Sequence, residues 1–455
     1  MSPNPMTAVV RGNLLLDYYE RLPDAIASIA DGVEPVTEPA SFSPGFWLPE
    51  LDDGVREFLA PAQAGWQELA EYAGHRLTLL DLTGNPDTNT TKTFASLLIV
   101  ARAVAYIRRT GESVLIFSPT SANKGTALRD AVLRAIECGL VSPEQLRMVT
   151  LAPASCRQKL RASRLSTDDE LRALNPLLLY TGEPAEHVKA LGRDFVQQHA
   201  ADIKSRLGVN VWFSLELRNY LIADTARAFF EHTVDPIDKA DRPRLHAHAV
   251  SSAFGLLGYH EGRALLEAEG SASAASRPAS LLVQHLGTPD MVLNLRTGSF
   301  DRAGLPDYVH DGGGYRQDAD PHFPYHAEVL DEVLDPTFYT HQPATSPAMN
   351  AIIDEYGGDG IVVSRRECRD RYPYIRGLLS ATSRPLPDDV DTLREWSVVM
   401  ALTGVCNAID RGLIPDDRDV VVHGSGWYST DDFEPLPDSA ISPVRSVDDI
   451  AAAVT

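Results

Sequence analysis

Four cysteines in 455 residues, Cys138, Cys156, Cys368 and Cys406, lie far apart and form no Cys-x-x-Cys pair. That spacing points to neither a zinc site nor a disulfide framework, and each cysteine reads as a small buried hydrophobe. No apolar run is long enough to span a membrane, and Met1–Tyr19 holds no apolar core of signal-peptide length. The expected location is the cytoplasm, with no membrane partner. Cations are scarce: 41 Lys and Arg stand against 63 Asp and Glu, a net charge of −22. A chain this acidic repels phosphate backbones, so a nucleic-acid partner is not expected. The acid excess reads first as a solubilising surface. An anionic ligand would need a site built against the global field, from backbone amides or a few arginines.

What is present is a core and a rhythm. Hydrophobic residues make up 44% and charged residues 23%, a globular profile, and the length implies two or three domains. Residues 31–50 read as a loop-rich arm and 53–74 as helical. From about residue 77 strands and helices alternate. Leu77–Leu82 is a strand running into Thr83-Gly84-Asn85-Pro86, and Thr93–Arg109 is an amphipathic helix. Strand Ser113–Phe117, helix Thr126–Cys138 closed by Gly139, and strand Met148–Leu151 follow. Further on come strand Leu178–Tyr180, helices Glu186–Leu207 and Leu215–His232, strand Leu245–Val250, helix Tyr259–Ala268 and strand Ser280–Gln284. The pattern closes with strand Gly360–Val363, helix Ser397–Arg411 and strand Asp419–His423. This spacing predicts an α/β fold with parallel strands and crossover helices. Ser271–Ser280 reads as a surface loop. The His- and Asp-rich stretch 301–343 reads as a long loop insertion, functional or disordered.

Three turns rich in Gly, Ser, Thr and Asn each follow an apolar strand: Ser118–Gly125, Ser251–Gly255 and His423–Gly426. Ligands of parallel sheets gather at the carboxyl ends of strands, where loops present backbone N–H groups and helix N-termini. Lys92 stands in a Thr/Asn-rich turn, at the first turn of a helix. A cation there opposes the helix dipole, whereas a neutral amine is tolerated. Plainer readings stand beside these. On spacing alone Lys92 reads first as a surface lysine, and Asn123 reads also as a helix cap. Gly255 and Gly258 read as turn glycines, His246 and His248 as packing histidines on one strand face, and the histidines from His310 to His341 as a solvated loop.

Read in order, these segments resemble the pyridoxal-phosphate enzymes of the tryptophan-synthase-β fold type (fold type II), most closely threonine synthase. Asn85-Pro86…Thr91-Lys92 resembles the family's Asn-Pro-Thr-Gly-Ser-Phe-Lys turn, with one extra residue. Ser118–Gly125 resembles its Ser-Ser-Gly-Asn-type loop, and Phe254-Gly255-Leu256-Leu257-Gly258-Tyr259 its phosphate-binding turn. Asn294–Phe300 is similar to the segment ending Lys-Thr-Gly-Arg-Tyr, and Thr345–Asn350 to Leu-Ser-Pro-Ala-Met-Asp. Glu395…Gly404 is similar to the Glu-Pro-Ala-Ser-Ala helix and His423–Gly426 to Thr-Gly-His-Gly.

The resemblance implies two open, mostly parallel sheets with helices on both faces and the cofactor, pyridoxal 5'-phosphate, in the cleft between them. Residues 1–75 would form an N-terminal arm, 93–154 a smaller mobile domain, and 76–92 with 155–455 the large one. Lys92 would hold the cofactor covalently and act as general base. Asn123 would bond the ring hydroxyl. Ser252, Ala253, Phe254 and Gly255 would cradle the phosphate with backbone amides. His423 or Ser425 would face the pyridine nitrogen, and Thr91, Ser121, Ser214 and Glu216 the substrate. The implied activity is that of a lyase or transferase acting on an amino acid by β- or γ-elimination or replacement, in a monomer or homodimer. The departures alter the expected substrate. Thr93 replaces an Asp, Ser252, Ala253 and Leu256 replace the first glycine and both asparagines of the phosphate turn, and Asn219 replaces an arginine. With Glu216 they point away from O-phosphohomoserine, towards another amino acid or a specialised metabolite. The alternative is a degenerate homologue that serves as a binding or regulatory scaffold. A third reading keeps the cleft but uses other chemistry.

Overall fold

Short apolar runs such as Leu-Thr-Leu-Leu and Val-Leu-Ile-Phe are too short for buried helices, and they form strands covered on both faces. The computed structural model describes residues 9–335, 337 and 339–454. The strands of its two large sheets, in chain order, are β1 (Val10–Asn13), β2 (Gln63–Glu68), β3 (Leu77–Asp81), β4 (Ser113–Pro119), β5 (Leu146–Pro153) and β6 (Leu177–Tyr180). They continue with β7 (Val209–Phe213), β8 (Arg244–Ala249), β9 (Ala279–His285), β10 (Gly358–Val363), β11 (Asp419–Gly424) and β12 (Ile441–Val444). A seven-stranded sheet runs β1-β2-β3-β11-β8-β9-β10, and a five-stranded sheet runs β12-β6-β5-β4-β7. All pairs are parallel except β1 with β2 and β2 with β3. The fold is therefore α/β with mostly parallel sheets, as the alternation predicts.

Register decides which side chains meet. His423 on β11 lies opposite Leu80 on β3 and His248 on β8. Three histidines of β8 and β11, among them His246, thus gather in the middle of the larger sheet.

Several elements differ from expectation. Residues 53–74 are not one helix: helix Asp53–Leu59 stops before Pro61, and β2 follows, pairing antiparallel with both β1 and β3. Strand β7 follows the left-handed Gly208, at which helix Val188–Leu207 ends. Helix Leu215–His232 is two helices, Arg218–Asp224 and Ala226–Val234. They meet at Thr225, whose hydroxyl turns back onto the Ile222 carbonyl at 2.7 Å. Helix Lys92–Thr110 is not amphipathic. Every residue from Thr93 to Ile107 is buried, because it packs against helices on more than one side. Residues 93–154 supply only β4 and β5 of the five-stranded sheet, which also draws in β6, β7 and β12. The stretch 301–343 carries three two-residue strands, Val309–His310, Tyr315–Arg316 and His326–Ala327. It is fixed to the body where Val362 N donates to the His322 carbonyl.

Candidate functional site

The turn before Lys92 is held at both ends. Asn85 accepts from Asp87 N and donates to Asp130, and Asn89 adopts a left-handed φ of 52°, which Asn tolerates. Thr91 N (2.8 Å) and Thr90 Oγ1 (3.2 Å) both donate to the Ser425 carbonyl, which ties the turn to the end of β11. Lys92 then opens its helix at the carboxyl end of the larger sheet. Its ammonium position, 5.3 Å from the Tyr220 ring centroid, makes no hydrogen bond among the described residues. Burial holds its pKa below the usual lysine value; Asp224 and Glu395 pull the other way and Arg227 adds to the depression.

The five-stranded sheet contributes the opposite wall. Beyond β4, Thr120 Oγ1 accepts from Ala122 N and Gly125 N, folding the loop into the start of helix Asn123–Glu137. Asn123 does not cap that helix. Its amide nitrogen donates to Glu395 (2.5 Å) and its oxygen accepts from the Tyr428 hydroxyl (2.6 Å). Beside it Lys124 is buried, with Nζ donating to the Ser214 carbonyl (2.8 Å) and hydroxyl (3.1 Å). Burial, then the charges of Lys92 and Lys189, bring its pKa down to about 7. The sequence reading assigned Lys124 no role. The available signal was a lysine beside Asn in a Ser/Asn/Gly loop closing a strand.

Glu395 anchors a buried network. It accepts from Asn123, from Lys159 at 2.7 Å and from the Ser397 hydroxyl, and Lys159 also pairs with Asp335, which Tyr339 joins. Burial alone would raise the Glu395 pKa. Lys159 and the other donors overcome it and hold the carboxylate at about 2.

The remaining expected residues meet around Arg227. That buried guanidinium pairs with Asp224 (2.8 Å) and donates to Thr91 Oγ1 (2.8 Å) and to His423 Nδ1 (3.0 Å). An arginine only donates, so His423 carries its proton on Nε2 and gives it to His246 Nδ1 at 2.9 Å. His246 Nε2 lies 3.3 Å from Glu231, whose carboxylate also receives Arg244 and Tyr259. Burial first, then the neighbouring His246, His248 and the Arg227 guanidinium, holds the His423 pKa far below its usual value. Both of its nitrogens are thus engaged within the protein. Ser425, buried beside it, is the other residue expected at that position.

At the third turn Ala253 takes a left-handed φ of 50° and helix Phe254–Ala268 begins. The Ser252 carbonyl accepts from Thr345 Oγ1 at 2.8 Å. Gly255 lets the two side chains pack closely: a Cβ there would lie 2.4 Å from Arg227 Nη1 and 2.6 Å from His248 Nε2, so both would have to shift. His248 donates through Nδ1 to the Ala249 carbonyl, and its buried Nε2 has no partner. Ser214 holds Lys124. The Ser121 carbonyl accepts from Thr337 Oγ1 at 2.8 Å. Glu216 is neutralised by Arg102 (2.9 Å) and Arg218 (2.8 Å), so its charge is not free to repel a ligand. Among the described residues, no group of three or more His, Cys, Asp or Glu is arranged to hold a metal ion, and no helix is long and apolar enough to cross a membrane.

Several solved structures are similar to this chain. Threonine synthase from yeast shares 10% identity at a TM-score of 0.49, covering 85% of this chain and 79% of its own. Pyridoxal-phosphate-bound threonine synthase from Brucella melitensis shares 12% at 0.44, covering 82% and 71%. A pyridoxal 5'-phosphate-dependent aspartate racemase shares 11% at 0.47, covering 90% and 94%. No curated protein matches the chain. One family model spans almost all of it, and over residues 10–455 the chain belongs to that family, described as a family of unknown function (DUF6002).

Proposed function

We propose that this chain binds pyridoxal phosphate through Lys92 and acts on an amino acid as a lyase or transferase. The observation that carries the reading is the Lys92 amine. Its pKa is lowered by burial, it makes no hydrogen bond among the described residues, and it is set at the first turn of a helix where loops of both sheets converge. The residues suit the cofactor at both of its ends. Lys92 would hold the carbonyl end covalently. The Phe254 and Gly255 amides precede the first bonds of helix Phe254–Ala268, which run from Leu256 N and Leu257 N to the Ala253 carbonyl, and they suit a phosphate. Asn123, held by Glu395 and Tyr428, and Ser425 are the groups proposed for the ring hydroxyl and ring nitrogen. When bound, pyridoxal phosphate stabilises negative charge at the α-carbon of an attached amino acid.

The chain's own groups supply the rest. A neutral Lys92 amine accepts a proton. Lys124, titrating near neutrality, presents a cation or a second base beside it. The proposed outcome is loss or exchange of a β or γ substituent. The altered phosphate turn supports a substrate other than threonine synthase's own, whereas Glu216, paired with Arg102 and Arg218, adds no repulsion to that argument.

A second reading, a scaffold without catalysis, is favoured by Arg227 and His248 packed against Gly255 and by the commitment of both His423 nitrogens. The absorption spectrum with added pyridoxal phosphate separates the two. The enzyme reading expects a visible or near-ultraviolet band from the lysine-linked cofactor in the wild type and its loss in Lys92→Ala. A colourless wild type that cannot be reconstituted would leave the scaffold reading.

A further inference from the structure

A second polar concavity lies on the far side of the Lys92 turn. It encloses about 250 Å³ and is walled by helix Asn123–Glu137, by residues 161–164 and by Asp87 of the turn itself. Four arginines, Arg129, Arg134, Arg161 and Arg164, face three carboxylates, Asp87, Asp130 and Glu137. The lining is net positive in a chain of net charge −22.

These arginines divide sharply. Arg134 pairs with Asp87 and Asp130, and Arg164 pairs with Glu137. Arg129 and Arg161 are paired with no carboxylate among the described residues, although they are 4% and 8% exposed. Arg129 uses Nη1 on the Asn175 carbonyl at 2.9 Å. Its Nε and Nη2, the side-on edge that grips an oxyanion with two parallel bonds, are buried and without a partner. Arg161 uses Nη1 on Asn89 Oδ1 (2.9 Å) and on the Pro86 carbonyl (3.3 Å), while its Nη2 is buried and without a partner.

A buried guanidinium cannot shed its proton, so an unpaired one is costly unless an anion answers it. The Arg161 charge is offset in part by the Tyr428 and Phe433 rings, 4.4 and 4.8 Å from its guanidinium carbon, and Arg129 has no such offset; the three orphaned N–H nitrogens of the two arginines suit an anion with several oxygens. We propose that this concavity is a binding site for a small phosphate or phosphate ester. Arg129 grips it side-on and Arg161 reaches it from the wall that carries the Lys92 turn. The Asn89 and Pro86 contacts place the bound anion one residue from the segment that positions Lys92. The site does not depend on cofactor binding.

Calorimetric titration of the full chain with inorganic phosphate, at constant ionic strength and with acetate as control, tests it. Wild type and Lys92→Ala are both expected to bind phosphate saturably and acetate at least tenfold more weakly. Arg129→Met is expected to lose at least tenfold in affinity and, without phosphate, to unfold no earlier than wild type, since it removes an unanswered charge. Arg161→Met, on the other wall, gives the same loss in affinity should Arg129→Met fold poorly. The turn at Ala253 is intact in both variants, so phosphate held there would survive them. Absence of saturable binding, acetate binding as tight as phosphate, or undiminished binding in both arginine variants would each overturn the proposal.

Discussion

An amine enclosed beside a second lysine is costly to keep charged, and Lys124 is such an amine. Its pKa falls from 10.5 to about 7, chiefly through burial. Between those values the unfolded chain binds a proton that the folded chain does not, so this group makes stability rise with pH across that window. Below pH 7 its penalty is fully felt. In Lys124→Met this contribution is absent. The wild type's stability relative to the variant, measured by urea unfolding at a series of pH values, is expected to rise from pH 7 towards pH 10.5. A constant difference would mean that Lys124 keeps an ordinary pKa. Lys92 and Asn123 were singled out in sequence by local turn residues together with the resemblance, and they stand as proposed site residues. Lys124, Arg227 and Lys159 acquire meaning through partners 90, 196 and 236 residues away, Ser214, His423 and Glu395, and no local pattern announces those meetings.

At the scale of elements, the helices bearing Asp224 and Arg227 owe their position to two glycines. Gly258 and Gly262, one turn apart on helix Phe254–Ala268, let helices Arg218–Asp224 and Ala226–Val234 approach closely. Gly258 is thus a helix-packing residue, where a turn glycine was one of the expected readings. A Cβ at Gly258 would lie 2.6 Å from Asp224 Cβ, and one at Gly262 would lie 2.3 Å from the Thr225 carbonyl. Gly262→Ala is therefore expected to destabilise the protein by about 1–3 kcal/mol, as overpacking does, despite alanine's better helix propensity. The midpoint of guanidinium unfolding measures it, and an unchanged midpoint would mean that the helices move apart freely. The elements read correctly have short-range signals: Gly111 and Gly139 close helices or their ends, and apolar runs mark β3, β4 and β9. The misread ones do not. Gln63–Glu68 buries Ala64 and Trp66 because β1 and β3 flank it, and those pairings lie outside any local window. Helix Arg365–Leu378, to which no element was assigned from sequence, tolerates Pro373 in its interior, a residue that argues against a helix.

For the whole molecule, a net charge of −22 sets the balance of long-range forces. Exposed charges farther apart than a screening length of about 8 Å are largely screened at physiological ionic strength. Raising sodium chloride from about 10 mM to about 150 mM is expected to raise the thermal midpoint, as self-repulsion is screened more than close pairs are. A fall would show that exposed ion pairs such as Arg206 with Asp202 outweigh it. The sequence by itself determined the α/β alternation, the strand–turn–helix that presents Lys92, and the glycine- and serine-rich turns, because turn chemistry and apolar spacing act within a dozen residues. Only the tertiary structure decided that β12, from the end of the chain, completes the five-stranded sheet beside β6. It alone decided that Arg227 packs against Gly255, and that Arg129 and Arg161 are buried without a carboxylate. Burial and charge pairing are properties of what surrounds a residue in space, and the chain supplies those surroundings from segments hundreds of residues apart.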